Sequence, residues 1–197
     1  MNLPNKLTVF RIFLVPLLVL VWLFPYEQFG IIFKSFTIGH ISLSLLNVIV
    51  LAIFAIASFT DFLDGHIARS KKMITTFGKF ADPIADKLLV NTTLIILAVK
   101  GMIPVVPVII MLGRDTIVDG CRMVASSSGT VVAAGFLGKM KTVCQMFGII
   151  LVLLNNLPFE LYGIPVATLL IWFASFISIA SGVTYFKQLK DYIFESM

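Results

Sequence analysis

The chain alternates between long apolar runs and short polar breaks. Six runs stand out, at about residues 8–24, 41–69, 83–99, 103–125, 139–154 and 162–186. A helix needs about 20 mostly apolar residues to cross a bilayer, so the pattern predicts six transmembrane helices. The second run exceeds that length, and its excess should project from the membrane. Pro25 stops the first run, and Asp82 with Pro83 suits the start of the third as cap and first-position proline, although that helix can begin earlier. Residues 126–130, rich in Ser and Gly, predict a loop. The basic start and first apolar run have the look of a signal peptide, but no small-residue cleavage site follows Phe24.

Composition agrees with this pattern. Hydrophobic residues make up 59% of the 197 and charged residues 13%, with a mean hydropathy of +1.03, well beyond the globular norm. The expected fold is all-α: a polytopic membrane protein forming a six-transmembrane-helix bundle, one domain over residues 1–197. A formal charge of +5 would suggest nucleic acid in a soluble protein, but here topology accounts for it and no nucleic-acid partner is expected. With six spans, thirteen of the 15 lysines and arginines fall on the side of the termini, leaving only Lys34 and Lys100 opposite. The positive-inside rule then puts both termini in the cytoplasm. Cys121 and Cys144 sit in apolar surroundings and read as free buried thiols, with no disulfide framework.

Charge inside the apolar runs carries the chemistry. Asp61, Asp64, Asp82 and Asp86 are four of ten acidic residues, all within 26 positions at the end of the second run and the start of the third. Residues three or four apart share a helix face, so each pair presents two carboxylates in one direction. Such carboxylates at a membrane surface are costly unless neutralised or hydrated. Four converging ones repel and take up protons unless a cation sits among them. An all-oxygen ligand set suits Mg²⁺, Mn²⁺ or Ca²⁺ and not zinc or copper. Gly65 and Ala68 clear space beside Asp64, and Arg69 adds a fork suited to phosphate oxygens. Together they point to a diphosphate held through metal. A cation transporter is the rival from another class; Arg69 among the carboxylates argues against it, as a barrier to a passing cation. Arg114, Asp115, Asp119 and Arg122 lie well inside the fourth run, where charges face a bundle interior or a hydrated cavity.

The stretch from Asp61 to Asp86 matches D-x2-D-G-x2-A-R-x8-G-x3-D-x3-D without departure, with eight specified residues that include Gly78. In this the chain resembles the CDP-alcohol phosphatidyltransferases. The opening residues Asn5, Thr8, Arg11 and Pro16 also resemble that family. A third segment, with Gly113, Arg114, Asp115, Arg122, Gly138, Lys139, Lys141, Thr142 and Gln145, is similar to its bacterial members that use a glycerol phosphate acceptor. The resemblance spans about residues 1–145; the final helix matches in hydropathy only.

The resemblance implies a set of expectations. CDP-diacylglycerol binds at Asp61, Asp64, Gly65, Ala68, Arg69 and Gly78. Two divalent ions, Mg²⁺ or Mn²⁺, are held by Asp61, Asp64, Asp82 and Asp86, with Asp86 also the general base. The acceptor is sn-glycerol 3-phosphate, bound by Arg114, Arg122, Lys139, Lys141 and Arg11, and the products are phosphatidylglycerol phosphate and CMP. The enzyme is expected as a homodimer among the lipids of a bacterial plasma membrane, its active-site cavity open to the cytoplasm. Serine, inositol phosphate or a lipid alcohol stand as alternative acceptors, because the shared motif handles only the CDP half. The basic third segment favours a phosphorylated one.

Overall fold

A computed structural model describes residues 2–70, 75–127 and 135–194. Six helices dominate them: α1 (Leu3–Leu23), α2 (Leu45–Ser70), α3 (Thr76–Val99), α4 (Val105–Ser127), α5 (Phe136–Leu153) and α6 (Val166–Phe194). Four segments are long and apolar enough to cross a membrane: Leu3–Leu23, Leu45–Gly65, Phe136–Leu153 and Val166–Gln188. By contrast α3 and α4 are interrupted by charge, α3 at Lys79, Asp82, Asp86 and Lys87, and α4 at Arg114, Asp115, Asp119 and Arg122. Large apolar side chains such as Phe13, Phe59, Ile109, Phe147 and Phe176 are exposed. On a chain this apolar such a surface is consistent with a membrane protein.

The all-helical expectation meets one departure among the described residues, a short antiparallel hairpin. Strands β1 (Ser35–Ile38) and β2 (Ile41–Ser44) pair Ser35 with Ser44 and Ile38 with Ile41. Gly39 takes a positive φ of 63° at the first position of the two-residue turn, as the tight hairpin turns that match strand twist require. The second apolar run therefore divides: its first four residues alternate, with Ile41 and Leu43 buried and Ser42 outward, and the helix begins at Leu45.

Other boundaries also shift. α1 starts at Leu3, where Asn2 caps it by accepting the Asn5 N–H at 3.2 Å and Pro4 needs no donor. α3 starts at Thr76, so Pro83 lies inside it. The cap is Thr75, whose Oγ1 accepts the Gly78 N–H at 3.0 Å. α4 continues to Ser127, and the rest of the expected 126–130 loop lies outside the described residues. Cys121 and Cys144 are unpaired and half-buried rather than buried.

The chain divides into two compact units. The first comprises Met1–Ile96 with Leu153–Ile164, and the second Leu97–Val152 with Pro165–Met197. In the first, α1 packs on α2. Leu14, Leu18 and Trp22, four residues apart, give α1 a buried stripe, and Val50, Phe54 and Ala57 give one to α2. In the second, α4 packs on α6, and Met111, Val118, Ile171 and Ala174 are buried. Gly148 of α5 lets α6 approach closely: a Cβ there would lie 2.8 Å from Ile171 Cδ1.

Candidate active site

The first unit gathers the carboxylate motif around the first turns of α1. Asn5, Thr8 and Arg11 recur every third residue and so share one helical face. All three are buried, Arg11 and Thr8 completely. Each reaches a different part of the motif. Asn5 Oδ1 accepts the Thr75 hydroxyl at 2.9 Å. The Thr8 hydroxyl lies 2.6 Å from Asp82 Oδ1, closer than its own-helix acceptor, the Pro4 carbonyl at 3.1 Å. Arg11 Nη1 lies 2.6 Å from Asp61 Oδ1, and Arg11 Nη2 pairs with Asp64 Oδ2. Its guanidinium thus joins two carboxylates one helical turn apart. Asp64 is buried, whereas the Asp61 side chain is 42% exposed.

Packing explains Gly78. A Cβ there would meet Thr75 Oγ1 at 3.3 Å, Asp82 Oδ2 at 3.4 Å and Asn5 Oδ1 at 3.5 Å. Polar groups of α1 and of the start of α3 close over that position, so that even a methyl group would sit in contact with all three. Asp86 lies one turn beyond Asp82 on α3 and is half-buried. Gly65 is half-buried beside Asp64. The side chains of Ala68 and Arg69 lie outside the described residues.

Among the described residues, Arg11 is a cation that pairs with two of the motif carboxylates. Grouped by sequence with the acceptor phosphate, it is instead engaged through both terminal nitrogens by Asp61 and Asp64. The expected metal ligands are brought to one region from α2 and α3, but among the described residues no three acidic, His or Cys side chains gather around a common point. The donor chemistry, carboxylate oxygen throughout, still fits a hard divalent cation. Such an ion would compete with Arg11 for the Asp61 and Asp64 oxygens.

The second unit holds a separate basic cluster. Arg114 Nη1 donates to Asp115 Oδ1 at 3.0 Å and Nη2 to Ser181 Oγ at 2.5 Å. The Lys141 ammonium donates to the other Asp115 oxygen at 2.5 Å. One carboxylate is thereby shared by two cations. Arg122 donates to the Tyr185 hydroxyl at 2.6 Å. Arg114 Nε and Arg122 Nε are buried without an acceptor among the described residues. Three cations, Arg114, Arg122 and Lys141, against the one carboxylate of Asp115 give this cluster a net positive charge that suits an anion. Of the five residues expected around the acceptor, Arg114, Arg122 and Lys141 belong to this cluster, while Arg11 pairs with Asp61 and Asp64 in the first unit. Lys139 is exposed, two residues from buried Lys141 and so on a different face of α5.

Sequence reasoning missed the contribution of α6. Ser181 and Tyr185 are buried there, with Ser178 one turn before Ser181. The available signal was their spacing: Ser178, Ser181 and Tyr185 form a polar stripe at helical period along an otherwise apolar helix. Gly182 belongs to the same stripe, since a Cβ there would press on Arg114 Cγ at 3.0 Å.

The chain matches the family model of CDP-alcohol phosphatidyltransferases over residues 1–180. It is 42% identical over 187 residues to the CDP-diacylglycerol–glycerol-3-phosphate 3-phosphatidyltransferase of Bacillus subtilis, covering 95% of this chain and 94% of that one. The protein of the same description from Rickettsia typhi is 36% identical over 192 residues, covering 97% and 98%. That from Haemophilus influenzae is 30% identical over 202 residues, covering 100% and 97%. The chain belongs to the CDP-alcohol phosphatidyltransferase family.

Proposed function

We propose that this chain transfers the phosphatidyl group of CDP-diacylglycerol to sn-glycerol 3-phosphate, releasing CMP and forming phosphatidylglycerol phosphate. The observation that carries the choice of acceptor is the cluster of half-buried Arg114 and Arg122 with buried Lys141, which suits a phosphorylated acceptor and would be costly around serine or a lipid alcohol. The carboxylate motif is assigned the CDP-lipid and the basic cluster the acceptor, and residues 1–197 are taken as one catalytic domain. Asp61, Asp64, Asp82 and Asp86 hold divalent cations, the general cofactors of this family. When bound, Mg²⁺ or Mn²⁺ neutralises the diphosphate and stabilises charge on the departing CMP. Asp86 accepts the proton of the attacking glycerol hydroxyl. The new oxygen–phosphorus bond forms as the bond to CMP breaks, in one in-line displacement. Arg69 holds the diphosphate, Gly65 and Ala68 leave it room, Gly78 lets Asn5, Thr75 and Asp82 close together beside it, and Arg114, Arg122 and Lys141 hold the acceptor phosphate. All six helices cross the bilayer, with both termini and the active-site cavity on the cytoplasmic side, as the lysine and arginine bias supports. A homodimer in the bacterial plasma membrane is the working assembly.

One assay tests chemistry and orientation together. Inverted membrane vesicles containing CDP-diacylglycerol and Mg²⁺ should release CMP when impermeant glycerol 3-phosphate is added, and not with serine, inositol phosphate or a lipid alcohol. Sealed right-side-out vesicles should stay inactive until opened with detergent, and EDTA should stop the reaction until Mg²⁺ or Mn²⁺ is restored. Turnover unaffected by excess EDTA, or faster with another acceptor, would refute the proposal. Activity in sealed right-side-out vesicles would refute the orientation alone.

A further inference from the structure

Tyr185 is not part of any motif considered above, yet it contacts two of the cations assigned to the acceptor and the helix that carries a third. Its side chain is buried at the cytoplasmic half of α6 as oriented above. The hydroxyl oxygen lies 2.6 Å from Arg122 Nη2 and 2.6 Å from the Gly135 N–H. Both partners are donors, so they occupy the acceptor capacity of that oxygen. The ring lies against the same cations, its centroid 4.7 Å from Arg122 Cζ and 5.4 Å from Arg114 Cζ, within cation–π range.

Gly135 is where α5 is tied down. Its carbonyl accepts the N–H groups of Gly138 at 3.1 Å and Lys139 at 3.3 Å, which opens the helix. Lys141, six residues on, reaches Asp115 from the first turns of α5. A tyrosine that anchors Gly135 therefore sets where Lys141 emerges, while its hydroxyl and ring orient Arg122 and its ring flanks Arg114. Long cationic side chains otherwise lose rotamer freedom when they close on a ligand, and an arrangement made in advance removes that cost from binding.

We infer that Tyr185 is a positioning residue for the acceptor phosphate, acting through Arg122 and the α5 start to preorganise the basic cluster. The inference rests on the acceptor assignment made above. The tyrosine hydroxyl engages one terminal nitrogen of Arg122, Nη2, and so leaves the other, Nη1, for the phosphate.

Kinetics of purified wild-type protein and three variants test it. Y185F keeps the ring and loses the acceptor oxygen: KM for glycerol 3-phosphate should rise about tenfold, with kcat and KM for CDP-diacylglycerol within about twofold. Y185L, which also loses the ring, should raise KM further, and Y185H, with a ring and an acceptor nitrogen, should lie between wild type and Y185L. Adding Y185F to Arg122→Ala should raise KM by clearly less than the full tenfold, since the route through the arginine is then gone and only the anchor on Gly135 remains to be lost. An unchanged KM in Y185F overturns the inference. So does a fall in kcat and melting temperature with KM unmoved, the mark of a merely structural residue, or a full tenfold effect added to Arg122→Ala. Wild-type protein that releases no CMP with glycerol 3-phosphate overturns the acceptor assignment itself.

Discussion

Asp86→Asn should lower CMP formation by roughly 10²–10⁴, the usual range for loss of a general base. The substitution keeps the size and one oxygen of the side chain but removes its ability to take a proton from the acceptor hydroxyl. Asp86 lies one helical turn from Asp82 and is half-buried. If its role is proton transfer, CDP-diacylglycerol should still bind with near-normal affinity. If it is chiefly a metal ligand, metal and lipid-nucleotide affinity should fall along with the rate. Equilibrium binding of CDP-diacylglycerol beside single-turnover CMP release separates the two. A variant keeping more than about a tenth of normal turnover would remove Asp86 from both roles.

Arg11→Ala should be the most destabilising single change in the first unit. The guanidinium is fully buried, and its removal strands Asp64, which is buried as well, and takes the partner from Asp61. Breaking a buried ion pair by deleting one member costs about 3–5 kcal/mol, because the remaining charge is uncompensated. Arg11→Lys should lose less but not recover wild-type stability, since an ammonium lacks the fork that addresses two carboxylates at once. Combining Arg11→Met with Asp64→Asn should recover part of the loss by removing the stranded charge. Thermal unfolding in detergent reads all three. If Arg11→Ala melts as wild type and only weakens glycerol phosphate binding, Arg11 belongs with the acceptor and its pairing here is incidental to stability.

These two residues show what the sequence made legible. The carboxylates could be found because they are chemically expensive in an apolar chain and sit at helical spacing within a short stretch. The six helices were legible for the same reason, as long apolar runs leave few alternatives in a membrane. Arg11 was visible as a charge early in the first run, but its partners lie 50 and 53 positions away, and no local pattern specifies which distant carboxylate a buried guanidinium will meet. Ser181 and Tyr185 were hidden because each is unremarkable alone in an apolar helix, and only packing of α4 against α6 brings them to Arg114 and Arg122. The β-hairpin was masked by hydropathy: Ile41 and Leu43 continue the apolar run, while their period-two alternation with serines covers too few residues to stand out.

The central claim is a division of labour, with the carboxylate motif handling the CDP-lipid and the basic cluster handling the acceptor. Arg114→Ala tests it most directly, with the two substrates measured separately on the same purified protein. The account predicts that the glycerol 3-phosphate requirement rises by about tenfold or more, the loss expected for a charge-assisted hydrogen bond, while CDP-diacylglycerol affinity stays within about twofold of wild type. Loss of CDP-diacylglycerol binding, with the acceptor requirement unchanged, would contradict it and reverse the assignment of the two clusters.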